Sequence, residues 1–165
     1  MEFALTLTTI AGLPAHVLLV HAMVVLAPLT ALLEILCALW PGARRRLVWL
    51  VLAFAVVTTV LTPVTTSAGE WLYDRESHHR DILNTHANRG GWMIYFSIAM
   101  LVVALVVALV HWRESRSAKP GTGTNVVVAI LAIAVGAASI VQVVRIGDSG
   151  ARSVWANELT KSDKP

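Results

Sequence analysis

Apolar residues occur along this chain in four long blocks, and short polar or charged segments separate the blocks. The blocks cover residues of about 14–40, 47–66, 90–111 and 124–145. A helix needs about 20 mainly apolar residues to cross the hydrocarbon core of a bilayer, so each block is long enough to span it. The pattern predicts four transmembrane helices, and therefore an all-α fold, an integral membrane four-helix bundle.

The composition agrees with a membrane protein. Of the 165 residues, 56% are hydrophobic and only 14% are charged, whereas about a quarter of the residues in a soluble domain are charged. We expect one transmembrane domain over residues 1–155 and a polar C-terminal tail at 156–165, in a multi-pass protein of the cell membrane. The first block lacks the basic leader of a secretory signal, so we expect it to remain as a permanent helix.

Two short turns between the blocks are basic and nearly free of acidic residues. Arg44, Arg45 and Arg46 follow the first block, and Arg113, Arg116 and Lys119 follow the third. Lys and Arg concentrate in cytoplasmic loops, so both termini are predicted to lie on the non-cytoplasmic side. The segment at 67–89, which includes His78 and His79 as solvated groups, carries mixed charges and is predicted to lie at the outer interface.

The formal net charge of +3 does not indicate a nucleic-acid partner, because the basic residues lie in turns, where membrane topology requires them. Cys37 is the only cysteine, which excludes an intramolecular disulfide, a CxxC redox pair and a thiolate zinc site. The sequence shows no nucleophile–base constellation and no phosphate-binding glycine loop. A stand-alone enzyme is therefore not expected.

An internal repeat is indicated by two similar stretches, SAGEWLYD at 67–74 and DSGARSVW at 148–155. Each ends a helical hairpin that has a histidine near its start and a basic turn in its middle. Two parallel repeats of this kind are related by an axis along the membrane normal. The repeat predicts that the starts of the first and third spans lie across from each other.

The histidines are the best clue to function. His16 and His21 lie in the first block, about 140° apart around an ideal helix, so they cannot both face one metal ion. His21 lies about 7.5 Å deeper, where an ionisable group usually faces a bundle interior. His86 opens the third block and shares a helix face with Gly90, which leaves room for a flat ligand.

Helical bundles bind haem when imidazoles on two facing helices reach one iron. We expect His21 and His86 to be the axial ligands of a haem b, with His16 as the substitute for His21. Arginines near the same end would pair with the propionates, namely Arg75, Arg80, Arg89 and Arg145. The histidines His16, His21 and His86 could instead hold zinc or copper, or they could be neutral core groups bonded to threonine hydroxyls.

Glu34 lies in the first block, towards its inner end. A carboxyl group within a membrane indicates a functional site by default, for example one step of a proton or ion path. The alternative is that the Glu34 side chain extends to the inner membrane surface or pairs with the basic turn at Arg44–Arg46. Both interpretations remain open from the sequence.

Four stretches resemble one known family, namely GLPAHVLLVHAMVVLAP, TTSAGEWL, HANRGGW and VRIGDSGARSVW. The resemblance runs from about Gly12 to Trp155 and is to a bacterial family of small four-helix membrane proteins, catalogued as domain of unknown function 2231. Members commonly have a His-Pro pair at the start of the first span, where this chain has Pro14-Ala15-His16. Some members look fused to Rieske-type iron–sulfur domains, so the resemblance implies a redox setting and favours haem.

The leading hypothesis is a haem-b or metal-binding membrane protein that acts as an electron-transfer or accessory redox subunit. One alternative is a non-catalytic structural or assembly subunit whose histidines are core groups. Another is a small proton-coupled transporter that uses Glu34. The expected partners are the lipid bilayer and either a redox partner protein or further copies of this chain.

Overall fold

The structure is a computed structural model and describes residues 9–10, 12–76, 80–116 and 121–162. Within these residues, two short antiparallel strands, β1 (Thr9–Ile10) and β2 (Leu13–Pro14), precede five helices. The helices are α1 (Ala15–Leu39), α2 (Pro41–Tyr73), α3 (Asp81–Gly91), α4 (Met93–Ser115) and α5 (Thr122–Ser162).

Four helical segments are long and apolar enough to cross a membrane, because α3 and α4 follow each other with only Trp92 between them. The segments are Ala15–Leu39, Pro41–Tyr73, Asp81–Ser115 and Thr122–Trp155. They coincide with the four predicted blocks, which confirms the all-α membrane bundle. The element order of the described residues is thus two helical hairpins in succession.

The helices extend beyond the predicted spans. Helix α2 continues to Tyr73, well into the segment that was predicted to lie at the interface, and α5 continues to Ser162 in the predicted tail. Hydropathy marks only the part of a helix that meets lipid, whereas helical hydrogen bonding continues into the polar region. Residues 163–165 of the tail, and His78 and His79, lie outside the described residues.

Two prolines set the start of the first two long helices. Pro14 directly precedes α1, and Pro41 is the first residue of α2. Proline is tolerated there because its missing N–H would have no acceptor within the helix. Trp40, which has an extended backbone (φ −124°, ψ 106°), is the single residue between α1 and α2. The predicted basic turn at Arg44–Arg46 is therefore part of the start of α2.

The bundle is packed through small side chains and exposes large apolar ones. Helices α1 and α4 each pack against α2 and α5, and α1 also meets α4 across the centre. Ala31 and Ala55 are fully buried at these contacts, whereas Val25, Val60 and Ile130 are each at least 60% exposed. Without a hydrophobic driving force between helices in lipid, close packing of small residues stabilises a bundle. An apolar exterior around such a core is typical of a protein embedded in a bilayer.

The two ends of the bundle differ in their chemistry. At one end, the fully buried Arg44 forms a bidentate ion pair with Glu114. Its Nε donates to Oε2 of Glu114 at 3.1 Å, and its Nη2 donates to Oε1 at 2.6 Å. We call this the Arg44 end. The opposite end, where α1 begins and α2 ends, carries His16 and His86, and we call it the histidine end. Which end faces the cytoplasm stays a prediction.

Candidate functional site

His16 lies in the first turn of α1 and is oriented by the end of α2. Its Nδ1 lies 2.9 Å from the backbone carbonyl oxygen of Thr65. Because a carbonyl oxygen can only accept a hydrogen bond, Nδ1 carries the hydrogen, and in the neutral form of the ring the lone pair is then on Nε2. The ring rests against Gly69, one turn further along α2, where a Cβ atom would lie 2.8 Å from both Nδ1 and Cε1.

His86 on α3 is held in the same way by α5. Its Nδ1 lies 3.1 Å from the carbonyl oxygen of Ile146, and a Cβ atom at Gly150 would lie 3.0 Å from its Cε1. The hydroxyl of Ser149 lies 3.5 Å from the same nitrogen. In both hairpins, a histidine near the start of the first span thus bonds a backbone carbonyl in the second span. The residue that supplies the carbonyl lies four positions before a glycine. This agreement supports the predicted repeat of two parallel hairpins.

The repeat brings the two imidazoles together across the bundle. The ring centres of His16 and His86 lie 6.2 Å apart, and their planes are inclined at 80°. Two imidazoles that bind one metal ion from opposite sides at about 2.0–2.1 Å have ring centres about 6.4 Å apart. Within the described part of the chain, neither Nε2 has a hydrogen-bond partner. The separation of the two ring centres therefore matches that of two imidazoles on one metal ion.

A cavity of about 80 Å³ lies beside the two rings. Besides His16 and His86 it is lined by apolar side chains, by the threonines Thr62, Thr65 and Thr66, and by the methionines Met23 and Met93. Gly90 also lines it, and a Cβ atom there would meet nothing within 4 Å. The open space that the sequence predicted beside His86 is therefore present.

His21 does not join this pair, so the structure does not bring together the two histidines that were expected to be the axial ligands. Its side chain is exposed on the outside of α1, and its Nδ1 lies 2.5 Å from the carbonyl oxygen of Val17 in its own helix. The angle of about 140° between positions five residues apart explains this, because His16 already takes the inward direction. The depth of a histidine along the helix therefore indicates its neighbours less well than the direction in which its side chain points. The substitute named from the sequence, His16, is the residue that meets His86.

The side chains of His16, His21 and His86 are not arranged around one point at which a metal ion could bind all three. Among the residues that the structure describes, no group of three or more His, Cys, Asp or Glu side chains is arranged to hold a metal. The hydroxyls of Thr58, Thr62 and Thr65 bond carbonyls of their own helix rather than His21. A metal bound at the histidine end would need ligands of another kind besides the imidazoles of His16 and His86.

None of the four arginines expected to hold propionates lines the cavity, and two of them connect helices at the histidine end instead. Arg80 donates to the carbonyl of Ser153, and Arg89 donates to that of Arg145 at 3.0 Å, so both connect α3 to α5. Arg75 stacks over the Trp71 ring at 3.7 Å. The side chain of Arg145 is exposed. Their role toward a haem stays a prediction.

Glu34 is the second unusual group. It is fully buried, and in the described residues neither of its carboxyl oxygens has a hydrogen-bond partner. The alternative that it pairs with Arg44–Arg46 is wrong, because Arg44 pairs with Glu114 while Arg45 and Arg46 are exposed. The carboxyl group lies one helical turn beyond Thr30, whose hydroxyl is 3.4 Å from that of Thr58.

A family model described as a predicted membrane protein, DUF2231, matches residues 12–163. The chain belongs to the DUF2231 family. The match includes all four spans and the helices that carry His16 and His86, which confirms the resemblance inferred from the sequence. No curated protein and no solved structure matches the chain. The chemistry of this DUF2231 protein must therefore be argued from its own residues.

Sequence reasoning missed two features of this DUF2231 site. Gly69 and Gly150 make space for the rings, and the signal was present in the similar stretches TTSAG and IGDSG. A methionine follows each histidine of the pair by seven residues, Met23 after His16 and Met93 after His86. Aligning the two hairpins on their histidines would have shown both features.

Proposed function

We propose that this membrane protein holds a metal centre between His16 and His86 and serves as an electron-transfer or accessory redox subunit. The observation that carries the proposal is the distance of 6.2 Å between the two ring centres. Each ring is fixed by a hydrogen bond from Nδ1 to a backbone carbonyl. Metal-binding histidines usually donate their second ring N–H to a carbonyl or carboxylate, which fixes the tautomer and the ring orientation.

The size of the cavity favours a single ion over a haem. Pockets that enclose drug-sized ligands measure about 300–1,000 Å³, and the cavity beside the rings measures about 80 Å³. A haem b between His16 and His86 would require lining residues such as Val24 and Thr66 to move apart. A bare transition-metal ion requires no such movement. Haem b is thus the second candidate, supported by the open space at Gly90 and the arginines at the histidine end.

One sample tests both candidates. The detergent-purified protein is analysed for bound metals and for its reduced-minus-oxidised absorbance spectrum. We expect about one transition-metal ion per chain, or a b-type spectrum if haem is the occupant, and loss of either in His16→Ala and His86→Ala. His21→Ala is the matched control, since His21 is exposed and bonds only its own helix. A protein with neither metal nor haem, prepared from cells supplied with both, would contradict the proposal and favour a structural or assembly subunit.

A specific observation also favours a second function, proton-coupled transport. Glu34 is a fully buried carboxyl group without a hydrogen-bond partner in the described residues, and such groups in membrane proteins commonly take part in proton relays. The hydroxyls of Thr30 and Thr58 lie between it and the histidine end. In proteoliposomes under a pH gradient, Glu34→Gln should abolish proton flux that the wild-type protein carries. Absence of flux in the wild type would overturn this function.

A further inference from the structure

We infer that the centre at the histidine end is a Cu(I) site, in which the thioether sulfurs of Met23 and Met93 act with the imidazoles of His16 and His86. This inference rests on the proposed function and names its metal. It adds two thioether ligands to the pair of imidazoles.

The methionines occupy equivalent positions in the two repeats. Met23 follows His16 by seven residues, and Met93 follows His86 by seven residues. Seven residues correspond to almost two full helical turns, so Met23 lies on the same face of α1 as His16, about 10.5 Å further along the axis. Met93 is the first residue of α4, and Trp92 separates it from the end of α3, which carries His86. Both methionines are buried, at 8% and 5% exposure, and all four side chains line the same cavity.

The cavity that the four side chains share places the sulfurs near the imidazoles. A long side chain on a helix points back towards the N-terminus of that helix. Both α1 and α4 run away from the histidine end, so the side chains of Met23 and Met93 point towards that end and line the cavity that His16 and His86 also line. Methionine is unbranched and has three rotatable bonds, which lets its sulfur adjust to an ion in the cavity.

The chemistry of the lining selects the ion. Soft thioether ligands favour Cu(I), and imidazole also binds copper. Zn²⁺ sites are usually completed by cysteine or carboxylate ligands, and Mg²⁺ and Ca²⁺ require oxygen ligands. Among the described residues, the cavity has no cysteine and no carboxylate in its lining. All four proposed ligands are neutral, and a single positive charge costs less to bury in apolar surroundings than a double one.

The test is a competition titration of the detergent-purified full chain with Cu(I) and bicinchoninate, under reducing and oxygen-free conditions. We expect about one Cu(I) per chain in the wild type. The double variant Met23→Leu/Met93→Leu should weaken Cu(I) binding by more than about 100-fold, which exceeds the about 10–100-fold effect of changes outside the ligand set. Met100→Leu is the matched control, because Met100 is fully buried on α4 but does not line the cavity. Far-UV circular dichroism and gel filtration show whether each variant folds.

The histidine variants separate failure of this inference from failure of the proposed function. If His16→Ala and His86→Ala lose Cu(I) while the folded methionine double variant binds it as the wild type does, the methionines only fill space and the inference is overturned, although the metal centre stands. If the wild type binds zinc or haem at one per chain but not Cu(I), the inference is also overturned. If none of the variants changes Cu(I) binding, both proposals fail together.

Discussion

Gly69 lies on α2 directly against the His16 imidazole, where a side chain would collide with the ring. A Cβ atom at this position would lie 2.8 Å from Nδ1 and from Cε1, the edge of the ring that bonds the carbonyl of Thr65. Real Cβ atoms essentially never approach so closely, so the ring must move if a methyl group is added. Gly69 therefore determines where His16 points.

We predict that Gly69→Ala lowers metal affinity by at least about tenfold, as expected when a metal ligand loses the interaction that orients it. The equivalent change, Gly150→Ala, should act more weakly, since its Cβ would lie 3.0 Å from the nearest atom of His86. Metal content per chain after dialysis against a graded chelator measures both effects.

The control for the glycine changes is Gly147→Ala on α5, where a Cβ atom would meet nothing within 4 Å. Alanine is favoured over glycine within a helix by about 0.8–1 kcal/mol, so Gly147→Ala should raise the melting temperature and leave metal binding unchanged. Wild-type metal affinity in Gly69→Ala would show that the position of the His16 ring is not fixed by α2.

The ion pair at the Arg44 end is predicted to stabilise the bundle. Arg44 is fully buried, and Glu114 keeps 21% exposure of its side chain. Removing one partner of a buried pair leaves the other charge uncompensated, which costs about 3–5 kcal/mol. Because Glu114 is partly solvated, we expect Glu114→Gln to lower the free energy of unfolding by about 3 kcal/mol, the lower end of that range.

Denaturant titration in mild detergent measures this loss. Arg45→Gln is the comparison, because Arg45 is exposed beside Arg44 and surface changes usually stay within about 0.5 kcal/mol. Equal effects of Glu114→Gln and Arg45→Gln would show that the ion pair contributes nothing beyond a surface contact.

The fold was largely predictable from the sequence because the four apolar blocks are long and well separated. Their helical ends were not predictable, since hydropathy does not record where a helix leaves the lipid. The burial of Arg44 could not be predicted from the sequence either. Three consecutive arginines indicate a cytoplasmic turn by composition, and only the bundle shows that one of them turns inward to Glu114.

The candidate site was only partly predictable. The helical angle showed that His16 and His21 could not both face inward, and His86 was correctly placed opposite the first span. The choice of His21 over His16 relied on depth, whereas the structure turns His16 towards His86. Depth does not tell which face of a helix meets its neighbours. The carbonyls of Thr65 and Ile146, which select the inward histidines, are backbone groups that no residue pattern marks.

Glu34 provides a prediction about stability that does not depend on transport. A buried polar group without a hydrogen-bond partner costs about 1–3 kcal/mol in folded proteins, and the structure gives this carboxyl no partner in the described residues. We therefore expect Glu34→Leu to raise the free energy of unfolding by about 1 kcal/mol or more. A functional role for the carboxyl group would explain why the chain has glutamate at position 34 and not the more stabilising leucine.

Thermal unfolding in detergent checks this, with Thr30→Val as a comparison at a buried position of the same helix whose hydroxyl is bonded to the carbonyl of Leu26 at 2.7 Å. Destabilisation by Glu34→Leu comparable to that of Thr30→Val would indicate that the carboxyl group has a partner after all.

The orientation of the bundle in the membrane can be tested by cysteine labelling, because the native cysteine is not expected to react. Cys37 is fully buried, so a membrane-impermeant thiol reagent should not label the wild-type protein in intact cells. Single cysteines are then placed at two exposed positions, Glu76 between α2 and α3 at the histidine end, and Gly121 before α5 at the Arg44 end. The basic residues at the Arg44 end predict that it faces the cytoplasm. Glu76→Cys should therefore be labelled in intact cells, and Gly121→Cys only after lysis. The reverse pattern would place the histidine pair on the cytoplasmic side, where any redox partner of the metal centre would also have to lie.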